Sequence, residues 1–593
     1  MNRTIRIGNA GGYWGDDPLA LRRQLEGGPL DYVTIDYLAE ITMSILQEQR
    51  SRRPDLGYAV DFLDQLHDCL PLIVERGVKV ITNAGGINPL ALGREIRALA
   101  DRLGLQVTVG VVDGDDIAGR LAELDAAGET FANLETGELL GPLRDRVRAA
   151  NVYFGAEPVV AALRAGCRIV VTGRVTDTGI TLAPMIHEFG WADDDWDRLA
   201  AGIVAGHIIE CGTQATGGNL TDWRDVPDLA GIGFPIVEMR EDGVFTVTKH
   251  KGTGGLVNLK TVKEQLVYEM GDPAEYISPD VIARFDTVEL EQIGRNRVRV
   301  SNARGLPRPP RFKVSMAYDD GWKALGQLLV CGPEVAAKAA AAAAAFWKRL
   351  GIAYEETHTS VVGTGSIWPR TVPGGEPNEA LLRLGVRDHD RDKVEAFGVQ
   401  LPALILSGPG GMAVTGGRPK PHPVVAYWPA LMGRSRVAAR VVALAPDGTE
   451  EVRMIEFADT VPARPDPPAG PARRPRVRAW PQRTRRTKLR TLAFARSGDK
   501  GDTCNIGVLA RSPEIYDWLR EALTPAVVKR FFRGIVKGKV VRHEADNLLA
   551  LNFLLERSLG GGGTVSLLLD PQGKTLAHAL LEMDVDAPAK IIP

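Results

Sequence analysis

The sequence predicts an α/β protein, with a large domain built on a mostly parallel sheet with helices on both faces and a small α+β domain after it. Two observations carry this prediction. Through residues 1–230, short β-branched runs alternate with helix-like segments, as in parallel strands covered by crossover helices. Further on, a Pro- and Arg-rich stretch without apolar period separates the main body from a last block of its own. The chain has 593 residues. That exceeds one core, since domains hold about 100–200 residues, and two to four units are expected.

The elements follow in order. "IRIGNAGGYWGDD" (5–17) is a strand breaking into a glycine-rich loop. "YVTIDYL" (32–38) is a strand before a helix over 41–49. "VKVITNAGGINP" (78–89) repeats the first pattern, and both runs end in Asn-Ala-Gly-Gly. In the helix that follows, Leu90, Ile96, Leu99, Ala100 and Leu103 recur at helical spacing. "LQVTVGVVDGDD" (105–116) and "CRIVVTG" (167–173) are strands, and "ITLAPMIHEFG" is a helix. Over 231–330 the pattern turns to polar/apolar alternation, as half-exposed strands show, and a subdivision near 230 is expected within a domain spanning 4–455. A helix pair is expected at 333–350 and 376–397. Residues 456–487 form a Pro/Arg-rich linker, solvated or in contact with an acidic surface or a phosphate-bearing ligand. The last domain, 488–587, begins as strand, loop, strand. Ser512 and Pro513 then start a helix as N-cap and first position. "ADNLLALNFLLERSLGGGG" is expected as an apolar helix and "TVSLLLDPQGKTLAHALLEMDV" as a hairpin turning at 570–573.

Composition bounds the function. With 44% hydrophobic and 25% charged residues and a net charge of −2, the chain is ordinary globular material, and no nucleic-acid or membrane partner is expected. Cys69, Cys167, Cys211, Cys331 and Cys504 have no paired spacing. This argues against a disulfide framework and a zinc cluster, and for a reducing, cytoplasmic setting. The start "MNRTIRIGNAGG" lacks a signal-peptide apolar region. The longest apolar run, "AAKAAAAAAAFW", falls short of the roughly 20 residues of a span and reads as a surface-packed helix. The expected partner is a small-molecule substrate, and the size and class suggest a homo-oligomer.

Several passages appear in order: "RIGNAGGYWGDDP", "ITNAGGINP", "VTGRVTDTG", "HIIECGTQATGGN" and "ARSGDKGDTCNIGV". Together they resemble the acyclic terpene utilisation (AtuA-type) family. The resemblance covers a large N-terminal domain and a ferredoxin-like C-terminal domain. It implies a catabolic role near branched acyl-CoA or carboxylate chemistry, with coenzyme A present only as part of the substrate and no other cofactor. It supplies no catalytic residues, so candidates rest on local chemistry.

Glycine-rich strand ends let backbone N–H groups approach a ligand, and successive amides form anion nests. Ligands of open α/β sheets collect beyond the carboxyl ends of strands. Asn9, Gly11 and Gly12, with Asn83, Gly85 and Gly86, are therefore expected as two walls of one crevice, or else as two tight turns. Neither loop is a dinucleotide fingerprint, and no Walker motif occurs. In "VTGRVTDTG", Arg174 suits a carboxylate or phosphate. Asp177 there orients it, acts as a base or caps the next helix. His207 lies three residues before Glu210, which puts the two on one helical face as a candidate acid/base unit, or as a structural helix end. Cys211 beside them is a possible nucleophile. Thr216, Gly217, Gly218 and Asn219 form another donor-rich loop. Lys251 and Gly254 in "KHKGTGGLVN" are candidates for a phosphate or carboxylate cradle, or a plain strand end. No metal site is expected. The loop 497–502, "SGDKGD", reads as an ion site, an interdomain contact or a structured turn.

The favoured function is an enzyme acting on a branched acyl-CoA or free acid by hydratase, lyase or isomerase chemistry. Glu210, His207 and Asp177 would be its catalytic residues. The alternatives are a non-catalytic scaffold or binding subunit of an acyl-CoA carboxylase pathway, and a phosphate-ester or nucleotide enzyme.

Overall fold

The computed structural model describes residues 3–38, 40–369, 371–459, 480 and 483–593. It has the α/β architecture that the sequence predicts. The chain divides into two compact units, Met1–Ala317 with Trp428–Pro475 and Glu544–Ala550, and Tyr318–Tyr427 with Arg476–His543 and Leu551–Pro593. The units do not follow chain order, and the first division falls after Ala317 rather than near 230.

The first unit carries an 11-stranded sheet among the described residues. Its strands include β1 (Thr4–Asn9), β2 (Tyr32–Ile35), β3 (Lys79–Thr82), β4 (Val109–Asp113), β6 (Ile169–Thr172), β7 (Pro235–Arg240) and β8 (Phe245–Lys249). The short β5 (Val147–Val152) lies off this sheet, its Asn151 bridging to Asp116. The spatial order is Glu289–Gly294, Arg297–Ser301, β8, β7, β1, β2, β3, β6, β4, Ala438–Leu444, Glu450–Glu456. The central strands β1, β2, β3, β6 and β4 are mutually parallel. Antiparallel strands extend both sides, with β7 against β1 and Ala438–Leu444 against β4.

Successive side chains of a strand point to opposite faces, and β2 shows what covers each. Val33 joins a core formed with helices Ala20–Glu26, Asp61–Arg76 and Pro89–Arg102. Tyr32 points the other way and donates its hydroxyl to Glu188 of helix Gly179–Phe189 at 2.6 Å. The strands are buried on both faces, so they read as continuous apolar runs.

In the second unit, Glu356–Val362 pairs with Glu379–Asp388, which pairs with the strand ending at Cys331. Helices Val335–Leu350 and Arg391–Gln400 cover this sheet through Ala339, Ala342, Phe346 and Phe397. The alanine run is thus a packed helix, as expected. Of the second expected helix, 376–397, the first part is the strand Glu379–Asp388. A four-stranded sheet follows, in the order Ala493–Lys500, Thr503–Ala510, Ala550–Leu555, Val540–Ala545. Ser512 caps helix Pro513–Ala522 by accepting from the Ile515 amide.

Two expectations for the tail need correction. "ALNFLL" is a strand, Ala550–Leu555, because a run buried between neighbouring strands has no period to separate it from a buried helix. The expected hairpin is instead a turn followed by helix Leu576–Leu581. The Asp570 carboxylate accepts from the Lys574 and Thr575 amides and so turns the chain into that helix. Of the expected linker 456–487, residues 460–479, 481 and 482 lie outside the described residues. Its end is already the strand Thr484–Lys488, paired with Asp584–Pro588.

Candidate functional site

Parallel strands end on a common edge, and here that edge gathers the motifs. β1 leads into Asn9–Gly12, β2 into Asp36, β3 into Asn83–Gly86, β4 into Asp115 and β6 into Arg174–Asp177. β7 runs antiparallel to β1, and β8 antiparallel to β7 with Lys249 opposite Pro235. The loop with Lys251 and Gly254 therefore reaches the same edge. Helix Trp196–Ile209 brings in His207 and Glu210. It comes close enough that a Cβ on Gly206 would stand 2.9 Å from Thr178 Cα, and one on Gly12 would stand 3.0 Å from the Glu210 carbonyl oxygen.

The two Asn-Ala-Gly-Gly loops are fastened through the end of β2. The Asp36 amide donates to Gly11 O at 3.0 Å. Asn83 donates its side-chain amide to Asp36 Oδ1 at 2.7 Å and accepts from the Tyr37 N–H at 2.7 Å.

Six of the predicted glycine amides, however, are already engaged. Gly11 donates to Asn9 Oδ1 and Gly12 to Asp16 Oδ2. Gly86 donates to Asn83 O, Gly217 and Gly218 to Thr213 O, and Gly254 to Gly231 O. Close approach accounts for several of these glycines: a Cβ on Gly85 would stand 2.5 Å from Thr172 O, and one on Gly254 2.5 Å from Asp228 O. Thr216 gives its hydroxyl to Gly233 O, and Asn219 its amide to Gln214 Oε1. These loops seat on one another, and the amides of Gly11, Gly12, Gly86, Gly217, Gly218 and Gly254 are turned to internal acceptors. Lys251 is exposed, while neighbouring His250 is buried, with Nε2 2.9 Å from Gln24 O.

His207 and Glu210 meet as their i, i+3 spacing predicts. Nδ1 of His207 lies 2.9 Å from Oε1 of Glu210. Nε2 lies 3.1 Å from the Gln265 carbonyl, and Gln265 returns its side-chain amide to His207 O at 3.1 Å. A carbonyl only accepts, so Nε2 carries a hydrogen. Nδ1 of the neutral ring would then be bare, and it faces a carboxylate oxygen. Burial raises the Glu210 pKa above the usual range. His207 opposes this, and the charges of Asp177 and Glu269 add to it. The His207 ring, 1% exposed, is flanked edge-on by Tyr276 and Phe285 at 5.3 Å. Burial, with Glu210, Asp177, Glu269 and Cys211 nearby, keeps the Tyr276 hydroxyl protonated. Glu269 has φ 50°, a conformation that a non-glycine residue holds only under tertiary constraint.

Arg174 is 2% exposed. Its guanidinium bonds Asp177 at 2.7 Å and the Tyr153 hydroxyl at 3.0 Å, and stacks 4.1 Å from the Tyr153 ring centre. Asp177 thus orients Arg174, one of the roles open to it, and its side chain keeps 35% exposure. Asp115 accepts from the Arg174 amide and the Asn151 side chain. Burial pushes its pKa up to about 7 against those two bonds. Asp36 is raised too, by burial and then by Asp177, with Arg174 opposing.

Among the predicted residues the structure brings together Asn9, Asn83, Arg174, Asp177, His207, Glu210 and the glycine loops, while Lys251 points to solvent. Sequence reasoning missed Asp36, Asp115, Tyr276 and Glu269. The first two had a signal, a carboxylate just beyond a buried strand. The other two had none. Among the described residues, no group of three or more His, Cys, Asp or Glu is placed to hold a metal ion. The SGDKGD segment is a hairpin turn in which the Asp502 carboxylate accepts from the Leu559 and Gly561 amides.

A search of curated proteins finds no match. Among protein families, the model described as acyclic terpene utilisation family protein AtuA matches residues 5–443, and the AtuA ferredoxin-like domain matches residues 487–586. The chain therefore belongs to the acyclic terpene utilisation (AtuA) family and carries that family's ferredoxin-like domain at its C-terminal end.

Proposed function

We propose that this chain is a catabolic enzyme of acyclic terpene or related branched acyl metabolism, acting on an acyl-CoA or carboxylate by hydratase, lyase or isomerase chemistry. Family membership supports the pathway. The observation that supports the chemistry is the 2.9 Å approach of His207 Nδ1 to Glu210 Oε1. Glu210 is the acid/base: its other oxygen, Oε2, is buried and makes no hydrogen bond among the described residues. A raised pKa lets a carboxyl group hold a proton that an ordinary carboxylate has already lost. His207, held by the Gln265 carbonyl, fixes the position of the Glu210 carboxyl. Arg174, braced by Asp177 and Tyr153, supplies fixed positive charge at the same edge of the sheet. Coenzyme A enters only as part of the substrate. The engaged glycine amides are left out of this reading as anion donors.

The test is a thermal-shift screen with branched free acids, their acyl-CoA esters and nucleotides. A true ligand at a hundredfold excess over its Kd stabilises by about 2.7 kcal/mol. A rise in Tm with acids or acyl-CoAs is expected. A rise with nucleotides alone would overturn the acyl reading.

A further inference from the structure

The turn that presents Phe285 to His207 is held from far along the chain. Residues Phe285–Thr287 form a short 3₁₀ turn after strand Ile282–Arg284. That strand pairs with Tyr276–Ile277, so the two aromatic rings beside His207 are carried on one small antiparallel unit. Phe285 is 1% exposed, and its ring centre lies 5.3 Å from that of His207 and 4.8 Å from that of Tyr276. A short turn leaves carbonyls that it cannot satisfy itself, and buried carbonyls need donors. Here side chains provide them. The Thr287 hydroxyl donates to Arg284 O and the Asn302 amide to Thr287 O. Two further carbonyls, Phe285 O and Val288 O, accept from one side chain, Asn547 Nδ2, at 2.9 and 2.8 Å.

Asn547 lies 259 positions beyond Val288, within the segment 487–586 that matches the ferredoxin-like domain. It sits between strands Val540–Ala545 and Ala550–Leu555 of the four-stranded sheet. The hairpin tip, Glu544–Ala550, nevertheless belongs to the first unit, as do His207 and Phe285. The tip is firmly built. Leu548 is 2% exposed and donates its amide to Ala545 O, while Leu549 holds φ 59°, a conformation that a leucine keeps only where its surroundings impose it. The partners of Asn547 fix the direction of its amide. Carbonyls only accept, so the NH₂ end faces them, one hydrogen to each. Its Oδ1 is buried and makes no hydrogen bond among the described residues. The side-chain hydrogen bonds of Asn547 thus all go to this one turn.

We propose that Asn547 is a positioning residue of the candidate site: the hairpin tip of the ferredoxin-like segment clamps the Phe285 turn against the His207 ring and so sets the aim of Glu210. The clamp acts through packing. A ring edge 5.3 Å from the imidazole limits its tilt, and His207 Nδ1 lies 2.9 Å from Glu210 Oε1. A shift of the turn is therefore passed on to the carboxyl group. Turnover is sensitive to such shifts, since a misplacement of about 1 Å costs roughly a hundredfold. The effect on turnover rests on the acid/base reading of Glu210, whereas the hold on His207 does not.

The test uses the full chain, isotope-labelled at histidine Cε1, with the His207 ring signal identified by its loss in His207→Gln. Asn547→Asp keeps the size of the side chain and turns an acceptor towards two acceptors. Asn547→Ala, the milder change, removes the donors without adding charge. Leu124→Ala, a core truncation in helix Leu121–Ala126 of the same unit, shows how far the signal moves from lost stability alone. Both Asn547 variants are expected to move the His207 signal further than Leu124→Ala does. On the substrate found by the thermal-shift screen, they are expected to lower kcat by about tenfold and to leave KM within about twofold of the parent. Asn547 variants that are folded by circular dichroism and move the signal no further than Leu124→Ala would overturn the proposal. So would a moved signal with parent-like kcat, in a protein where Glu210→Gln has lost turnover. A moved signal together with parent-like turnover of Glu210→Gln would instead sink the acid/base reading and leave the hold on His207 standing.

Discussion

Asn83 holds Asp36: its side-chain amide donates to the Asp36 carboxylate at 2.7 Å while its carbonyl oxygen takes the Tyr37 N–H at the same distance. One asparagine thereby ties the end of β3 to the end of β2. Since Asp36 also donates its own amide to Gly11 O, the fastening reaches the loop after β1. Asn83→Ala would leave the buried Tyr37 amide without its acceptor, at about 1–3 kcal/mol, and take one donor from the Asp36 carboxyl, which keeps the Leu38 amide. A fall of that order in the urea unfolding free energy is expected, whereas an unchanged midpoint would show that the loops are held otherwise.

Glu210→Gln keeps the size of the side chain and removes its capacity to exchange a proton. Turnover is expected to fall by roughly 10²–10⁴-fold, with substrate affinity much less affected. Steady-state kinetics on the ligand found by thermal shift separates the two effects. Parent-like turnover would remove Glu210 from the mechanism.

Asp115 makes the first unit sensitive to pH. Its folded-state pKa, pushed up to about 7 by burial, lies above the ordinary carboxylate value of about 4. Its contribution to stability is therefore fully present below the unfolded value and is lost as pH rises through the folded one. The loss is about 1.4 kcal/mol for each pH unit across that window. Asp115→Asn, which cannot ionise, should gain on the parent in unfolding free energy between pH 4 and pH 8. Denaturation curves with a constant gap between the two proteins would contradict this.

Gly12→Ala places a methyl carbon 2.9 Å from the Cys211 carbonyl carbon and 3.0 Å from Glu210 O. Backbone is the obstacle on both sides, so the loop and the helix end must separate. A loss of about 1–3 kcal/mol is expected, with turnover falling alongside it because Glu210 moves. Gly119→Ala, with nothing within 4 Å of the new carbon, serves as the neutral control in the same thermal melts and assays.

What the sequence made readable follows from how far each signal travels along the chain. β2, β3 and β6 were legible as buried β-branched runs. His207 and Glu210 were legible because three residues on a helix fix their separation. The strand Ala550–Leu555 was not, because a segment covered on both faces has no alternation to betray it. The role of Asp115 depends on Arg174, 59 positions away, and nothing local announces that partner. The glycines show the sharpest limit. Their positions at strand ends were plain, but whether the Gly12 amide is open depends on Asp16, and the amide is closed.

The interleaving of the two units sets the order in which this protein can be completed on the ribosome. The strands Ala438–Leu444 and Glu450–Glu456 border β4, so the large sheet lacks an edge until well over four hundred residues have emerged. Its unit takes its final segment, Glu544–Ala550, later still. A truncation at the linker would therefore sever pieces of both units, and expressing the tail alone would strand it without Tyr318–Tyr427.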